Sequence, residues 1–398
     1  MIPLNRHAIT RSLSLACGIA LLGCSSLFDA DSQGDAQTAE WIWKETTDVN
    51  HITPAYDSAR HQVYVVSNTR ELIALNATSG KEVWRNKYLD GAPRGINIVT
   101  AGDFVFVGDV DVWAFRATTG QLMWILSRVG GNEGLRAIAS DGATIFVSAF
   151  DGLVQRMSPS ASTLWSTHLR DGDSTLNALG NTLVGTSLYV CGVNFASTAR
   201  NGTLFALDAA TGEERWRYRY TPSLPGQSAI CVSRVAHAGA LIFSAQDDGR
   251  IFAHEATTGT VRWIIPRIHS PPGDPNGPGD GAYDDRRILA ANDDYLIATS
   301  DDGSVVCYSA RDGTQRWRTK GPGIALDPAV LAAGMALVTH VGYTVAYDLA
   351  TGRVLWAQPS TDPHSLDPTR YYTQPVLFGD TLIIAGSAGA RARRLSRK

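Results

Sequence analysis

Residues 206–216 read ALDAATGEERW, and close variants recur along the chain: ALNATSGKEVW (74–84), AFRATTGQLMW (114–124), AHEATTGTVRW (253–263), CYSARDGTQRW (307–317) and AYDLATGRVLW (346–356). A degenerate copy ends at Trp165; its turn, Gln155 to Ala161, lacks the glycine and is one residue shorter. The closing tryptophans Trp84, Trp124, Trp165, Trp216, Trp263, Trp317 and Trp356 fall 39 to 54 residues apart. A period of about 40–50 residues filled with short strands is the mark of propeller blades. Trp43 lies 41 residues before Trp84 and extends the register by one. The last stretch, 373–395, holds three strands' worth of pattern and no closing tryptophan. The pattern predicts an all-β, eight-bladed propeller of four-stranded blades over 41–398. Its last blade would be closed by the N-terminal strand around Trp41–Trp43, which removes the free edge of an open ring.

Each blade shows the same parts. A short inner strand (Pro54-Ala55, Ala229-Ile230, Pro375-Val376-Leu377) precedes a stronger apolar strand such as VYVV (63–66), FVFVG (104–108) or LIFSA (241–245). A tight turn follows, at Asp151-Gly152, Asn201-Gly202, Asp248-Gly249 and Asp302-Gly303, dipeptides that tolerate the positive φ of a two-residue hairpin. The third strand runs into the repeated turn. There Gly80, Gly120, Gly212, Gly259, Gly313 and Gly352 are expected in the left-handed conformation, and Asn76, Asp208 and Asp348 are placed to accept backbone hydrogen bonds. The tryptophan on the outer strand should wedge between neighbouring blades. Repetition across blades makes these residues structural, because one active site would not need them in blade after blade.

The N-terminus reads as an address. Arg6 and Arg11 precede the apolar run Leu13–Gly23, which is too short to span a bilayer and ends at Cys24. Residues 1–23 are expected to be a signal peptide and Cys24 the lipidated first residue of the mature chain; an ordinary signal peptide with an incidental cysteine is the alternative. Residues 24–40 are polar, acidic and aperiodic, as suits a tether. With Cys17 removed and Cys24 acylated, Cys191, Cys231 and Cys307 remain, an odd number. A Cys191–Cys231 disulfide is one option and three buried thiols the other.

Composition excludes two broad classes. At 44% hydrophobic and 18% charged the chain can bury a large core, and a net charge of −3 offers no nucleic-acid surface. The single basic cluster, Arg391, Arg393, Arg394, Arg397 and Lys398, reads as a solvated end. No metal spacing, nucleophile elbow, phosphate loop or dinucleotide fingerprint is present. Asp274, Asp280, Asp284 and Asp285 cluster in a Pro/Gly-rich stretch within 265–285, but Pro278 stands where a calcium loop would carry a ligand. That stretch reads as an insert between blades 5 and 6.

The repeat A-x-D-x-x-T-G-x-x-x-W resembles the tryptophan-docking repeat of the quinoprotein alcohol dehydrogenase-like (PQQ-repeat) propellers over nearly all of 41–395. Two kinds of protein share it: PQQ-dependent dehydrogenases and the outer-membrane assembly lipoproteins of the BamB family. The dehydrogenases carry adjacent cysteines over the quinone, and this chain has no Cys-Cys pair. The resemblance to the assembly lipoproteins therefore implies a non-enzymatic periplasmic scaffold without cofactor, metal or catalytic residue. It also implies a lipid anchor in the outer membrane and a BamA-type barrel-assembly protein as partner. In that family a Leu-Arg pair between blades 3 and 4 contacts the partner; Leu169 and Arg170 occupy the corresponding place in STHLRDGDSTLNALG (166–180). The linker 217–229 departs from the family in having no aspartate. A periplasmic oxidoreductase and a propeller that binds a peptide or polymer are the alternative readings.

Overall fold

A computed structural model describes residues 41–395 except 46–52, 68, 88–96, 109, 128–133, 196–200, 224–227, 232–233, 267–285, 301, 326–327, 360–373 and 387–388. The expected signal peptide, Cys24 and tether, and nearly all of the 265–285 insert, lie outside the described residues. Eight four-stranded antiparallel sheets follow one another along the chain. Blade 1 spans Ala55–Lys87, blade 2 Asn97–Leu126, blade 3 Leu135–His168 and blade 4 Asn177–Arg219. Blade 5 spans Ala236–Ile265, blade 6 Arg286–Lys320 and blade 7 Val330–Pro359. Blade 8 consists of Val376–Phe378, Thr381–Gly386 and Gly389–Arg394, and its outer strand is Trp41–Glu45, with Trp43 opposite Ala392. The first strands of blades 1 to 4 approach one another in turn, as do those of blades 5 to 8, and that of blade 1 meets that of blade 8, closing the ring.

The burial of each strand follows from its place in the blade. Second and third strands have a neighbouring blade on both faces, so Ser187–Val193, Ser304–Ser309 and Met335–His340 are buried throughout. They read as unbroken apolar runs, not as alternation. In the outer strand Gln315–Lys320 only the tryptophan is buried. One feature of that strand is invisible in the repeat. In blades 1 to 7 the pairing of third and fourth strands skips a residue just before the tryptophan: Ala74 faces Trp84 while Leu75 faces Glu82, and Ala206 faces Trp216 while Leu207 faces Glu214. Such a bulge re-aims the side chains beyond it. The residue that opens the motif is therefore the cross-strand partner of the indole: Ala in blades 1, 2, 4, 5 and 7, Cys307 in blade 6 and, in the degenerate blade 3, Arg156 opposite Trp165.

The turns behave as the motif predicts. Gly80, Gly120, Gly212, Gly259, Gly313 and Gly352 all have φ between 67° and 77°. Asp208 Oδ1 accepts the N–H groups of Ala210 and Thr211, and Asn76 and Asp348 do the same in blades 1 and 7. The Arg215 hydrogen bond and those N–H groups bring the Asp208 carboxyl down to about 2.

Three sequence readings are corrected. Gly202 is the first residue of strand Gly202–Asp208 and does not take positive φ; a glycine is needed there because a Cβ would meet the Ala229 carbonyl oxygen at 2.8 Å. The inner strand of blade 5 is Ala236–Ala238, and Ala229 lies ahead of it in a bridge to Asn201. Arg391, Arg393 and Arg394 belong to strand Gly389–Arg394, with the Arg393 guanidinium 4.7 Å from the centre of the Trp356 ring. They are part of blade 8 and not a tail, with Arg391 and Arg393 half-buried and Arg394 exposed to solvent. Arg397 and Lys398 lie outside the described residues.

Candidate functional site: the hairpin between blades 3 and 4

Antiparallel order places the first and third turns of every blade at one end of the strands, and the second turn and the link to the next blade at the other. The link from blade 3 to blade 4 is itself structured. Arg170–Asp171 pairs with Ser174–Thr175 around Gly172, whose φ is 59°. The two sequence-chosen residues take different places in it. Leu169 is buried among Phe146, Val154, Leu176 and Leu188, and its N–H donates to the Gly152 carbonyl at 2.9 Å. Leu176 N–H returns to the Leu169 carbonyl at 2.9 Å, closing the base of the hairpin. Arg170 is exposed. Burying a leucine is worth about 1.5–3 kcal/mol, so Leu169 fixes the loop that presents Arg170.

The approach of the hairpin to blade 3 sets a steric demand. Gly152 has φ 85°, and a Cβ there would overlap the Leu176 carbonyl oxygen. On the other side, the outer strand of blade 4 grips the hairpin. Arg217 Nη1 donates to the Arg170 carbonyl at 2.7 Å, and Arg219 Nε donates to Asp171 at 2.9 Å. Asp171 in turn raises the Arg219 pKa through that hydrogen bond. Sequence reading missed Arg217, Arg219 and Asp171, although the alternation Arg215, Arg217, Arg219 puts charge on one side of an edge strand.

Beside the hairpin, at the same end of the blades, Phe150 and Phe195 stack with ring centroids 5.6 Å apart, and Arg136 stands 4.5 Å over Phe150. Phe150 N–H donates to the Gly134 carbonyl, and Asn177 donates to the Phe150 carbonyl, so the pair spans blades 3 and 4. The whole end thus offers an exposed Arg170, a small acidic and basic hairpin, and a stacked aromatic pair.

Two polar clusters elsewhere are internal. His254 is fully buried; its Nδ1 bonds to the Gly259 carbonyl, Tyr220 hydroxyl lies 3.1 Å from Nε2, and burial lowers its pKa to about 4. His340 repeats the arrangement in blade 7, with Tyr347 and the Gly323 carbonyl as partners. Among the described residues no group of three or more His, Cys, Asp or Glu is placed to hold a metal. Of the two options left open for the cysteines, the structure takes the disulfide: Cys191 and Cys231 are bonded, and Cys307 is a buried thiol. That disulfide joins residues 40 apart across a blade junction, so it is not the adjacent pair expected over a quinone.

Fold and motif define the class: a PQQ-repeat β-propeller. The chain belongs to the family described as outer membrane protein assembly factor BamB, which it matches over residues 32–152, 150–279 and 282–397. It is 23% identical over 316 residues to the outer membrane protein assembly factor BamB of Burkholderia pseudomallei, covering 75% of this chain and 74% of that one. Among solved structures it resembles BamB from Moraxella catarrhalis, with a TM-score of 0.64, 13% identity and coverage of 91% and 99%. It also resembles a quinohemoprotein alcohol dehydrogenase from Pseudomonas putida, with a TM-score of 0.66, 14% identity and coverage of 92% and 77%. At such identities these likenesses establish the fold alone.

Proposed function

We propose that this protein is a non-enzymatic scaffold in the assembly of β-barrel proteins, anchored by a lipid on Cys24 to the periplasmic side of the outer membrane. Its hairpin between blades 3 and 4 docks a BamA-type barrel-assembly protein. The observation that carries this reading is the match to the assembly-factor family along residues 32–397, and it is supported by the exposed Arg170 held on a braced hairpin. A charged group presented on a rigid loop suits a docking contact, because little ordering is lost on binding. Leu169 serves from inside, as the anchor of the hairpin, and Arg170 meets the partner.

The test is a pull-down of the tagged, lipidated protein from detergent-solubilised envelopes of its own host, read by mass spectrometry. Arg170→Glu runs alongside. A BamA-type barrel should be enriched with the wild type and reduced about tenfold or more with the variant, since reversing one interface charge costs about 1.5–3 kcal/mol. Leu169→Ala is unsuitable as a contact probe, because it opens a core cavity at a cost of about 2–5 kcal/mol. Failure to enrich the barrel while other envelope complexes are retained would overturn the reading.

A further inference from the structure

The indole docks are not all alike. In four of them the tryptophan N–H reaches the carbonyl three residues before the left-handed glycine: Trp84 to Ala117, Trp165 to Ala209, Trp216 to Ala256 and Trp317 to Leu349, at 2.8–3.1 Å. Trp263 meets a turn of the same length, yet its N–H goes one residue further along, to the Arg311 carbonyl at 3.0 Å. The turn itself is tied down as in the other docks, Ala310 N–H binding the Asp294 carbonyl as Ala256 N–H binds that of Ala240, so it is the indole that has shifted. The glycine contact is looser as well: a Cβ on Gly313 would lie 2.9 Å from the Trp263 ring, against 2.5 Å for Gly259 and Trp216. Trp263 is half-buried, as is Trp165, where Trp84, Trp216 and Trp317 are buried.

Beside this indole lies an open cavity of about 530 Å³ between blades 5 and 6, with Trp263, Leu241 and Ala240 as its apolar wall. Glu255, Arg262, Arg311 and Asp312 form the rim. Each of these charges is answered inside the chain. Arg262 pairs with Glu255, Arg311 pairs with Asp294 at 2.9 Å, and Asp312 accepts the Thr314 N–H at 3.0 Å. An anion or a cation would have to compete with those pairs. A neutral ligand with many hydroxyls would not, and could use the carboxylates as acceptors and the guanidinium groups as donors. The electron-rich face of an indole attracts the weakly positive C–H face of a sugar ring. The volume lies within the range of small-ligand sites, of about 300–1,000 Å³. We propose that the Trp263 pocket binds a neutral saccharide unit, stacked on the indole and hydrogen-bonded to the rim. It lies at the end of the blades opposite the Arg170 hairpin, so the two sites can be occupied together.

The experiment uses the full chain and saturation-transfer NMR with calorimetry. The neutral probes are maltotriose and N,N′-diacetylchitobiose; glucuronate and glucosamine are the anionic and cationic comparators. A neutral probe should bind with Kd of about 1 mM, the range that a few stacking and hydrogen-bond contacts provide. Ala240→Trp, at an exposed position, fills the cavity and should weaken binding at least tenfold, whereas Arg170→Glu should leave it unchanged. Arg311→Ala, three-quarters exposed, is the second variant should Ala240→Trp not fold, and it should weaken binding several-fold. The proposal is overturned if neither neutral probe binds at about 50 mM, a concentration that detects even contacts worth less than 2 kcal/mol. It is equally overturned if glucuronate or glucosamine binds tenfold tighter than the neutral sugars, or if the folded pocket variants bind them as the wild type does.

Discussion

The junction between blades 4 and 5 and the junction between blades 2 and 3 use the same tryptophan and differ in what stands behind it. At the first, Trp216 lies on Gly259 and donates to Ala256, which also accepts the Tyr189 hydroxyl at 3.0 Å. His254 packs beside the indole, ring centroids 6.2 Å apart, and ties the Gly259 carbonyl from below. The Cys191–Cys231 disulfide fastens the same two blades. At the second, Trp124 is half-buried and donates to Pro159. The turn it meets carries Ala161 at φ 69° where other blades place glycine. The motif therefore aims the tryptophan, while its surroundings decide how firmly the blades are joined.

The largest expected effect comes from making the strong junction resemble the weak one. Replacing Cys191 and Cys231 together by Ser releases a segment of 40 residues, which chain-entropy arguments value at about 4 kcal/mol. The midpoint of urea unfolding should fall accordingly, and reduction of the wild type should reproduce the shift; a midpoint that ignores both would show that the disulfide does not brace the junction. Gly259→Ala attacks the same place sterically. Its φ of 72° and a Cβ 2.5 Å from Trp216 Cε3 together predict a loss of about 3 kcal/mol, with quenching or shift of the Trp216 emission.

Acid should probe His254 and His340 in the same way. Burial is the leading cause that lowers both from 6.5 to about 4, with the hydrogen bonds to the Gly259 and Gly323 carbonyls opposing it. Between those pH values the unfolded chain binds protons that the folded chain refuses, so stability is whole above about pH 6.5 and falls as the pH drops toward 4. The loss is about 3 kcal/mol for each histidine. Denaturant titrations from pH 7.5 to 4.5 check it, and His254→Gln should remove roughly half of the slope. A flat profile would mean that the Trp216 dock is not supported by a neutral imidazole.

How much of this was legible depended on whether a residue's role repeats. Asn76, Asp208 and Asp348, the left-handed glycines and the closure of blade 8 by Trp41–Glu45 could be read because each blade states the same local requirement again. The bulge before each tryptophan could not, since it is a property of pairing and leaves no residue type behind; the small Ala74 or Ala206 opposite the indole is its only trace. Single events were harder still. Leu169 next to Arg170 looked like one surface pair, but a hairpin turns the first inward and the second outward. Arg217 and Arg219 sit 47 and 48 residues from their hairpin partners, beyond any local pattern. Asn201-Gly202 carried the composition of a tight turn, yet the close approach of Ala229 explains its glycine. Arg391 and Arg393 looked solvated because charge near a terminus usually is, but blade closure pairs their strand on both sides and leaves the two side chains half-buried.

The weak junction offers the smallest effect and the cleanest sign. Ala161 is exposed, so changing it removes little packing. Its turn is held by Ser158, whose N–H donates to the Ser162 carbonyl at 2.9 Å and whose Oγ accepts the Ser162 N–H at 3.1 Å; neither bond involves the Ala161 side chain. An L-residue in the left-handed region costs about 1–2 kcal/mol that glycine does not. Glycine gives back about 0.4–1 kcal/mol through the greater freedom of its unfolded chain. Ala161→Gly should therefore stabilise the protein by about 0.5–1 kcal/mol, the opposite sign to Gly259→Ala, read as a small rise in the urea midpoint. A fall would mean that the blade 3 turn holds Ala161 without strain, and that the shorter turn, not the missing glycine, is what leaves Trp124 half-buried.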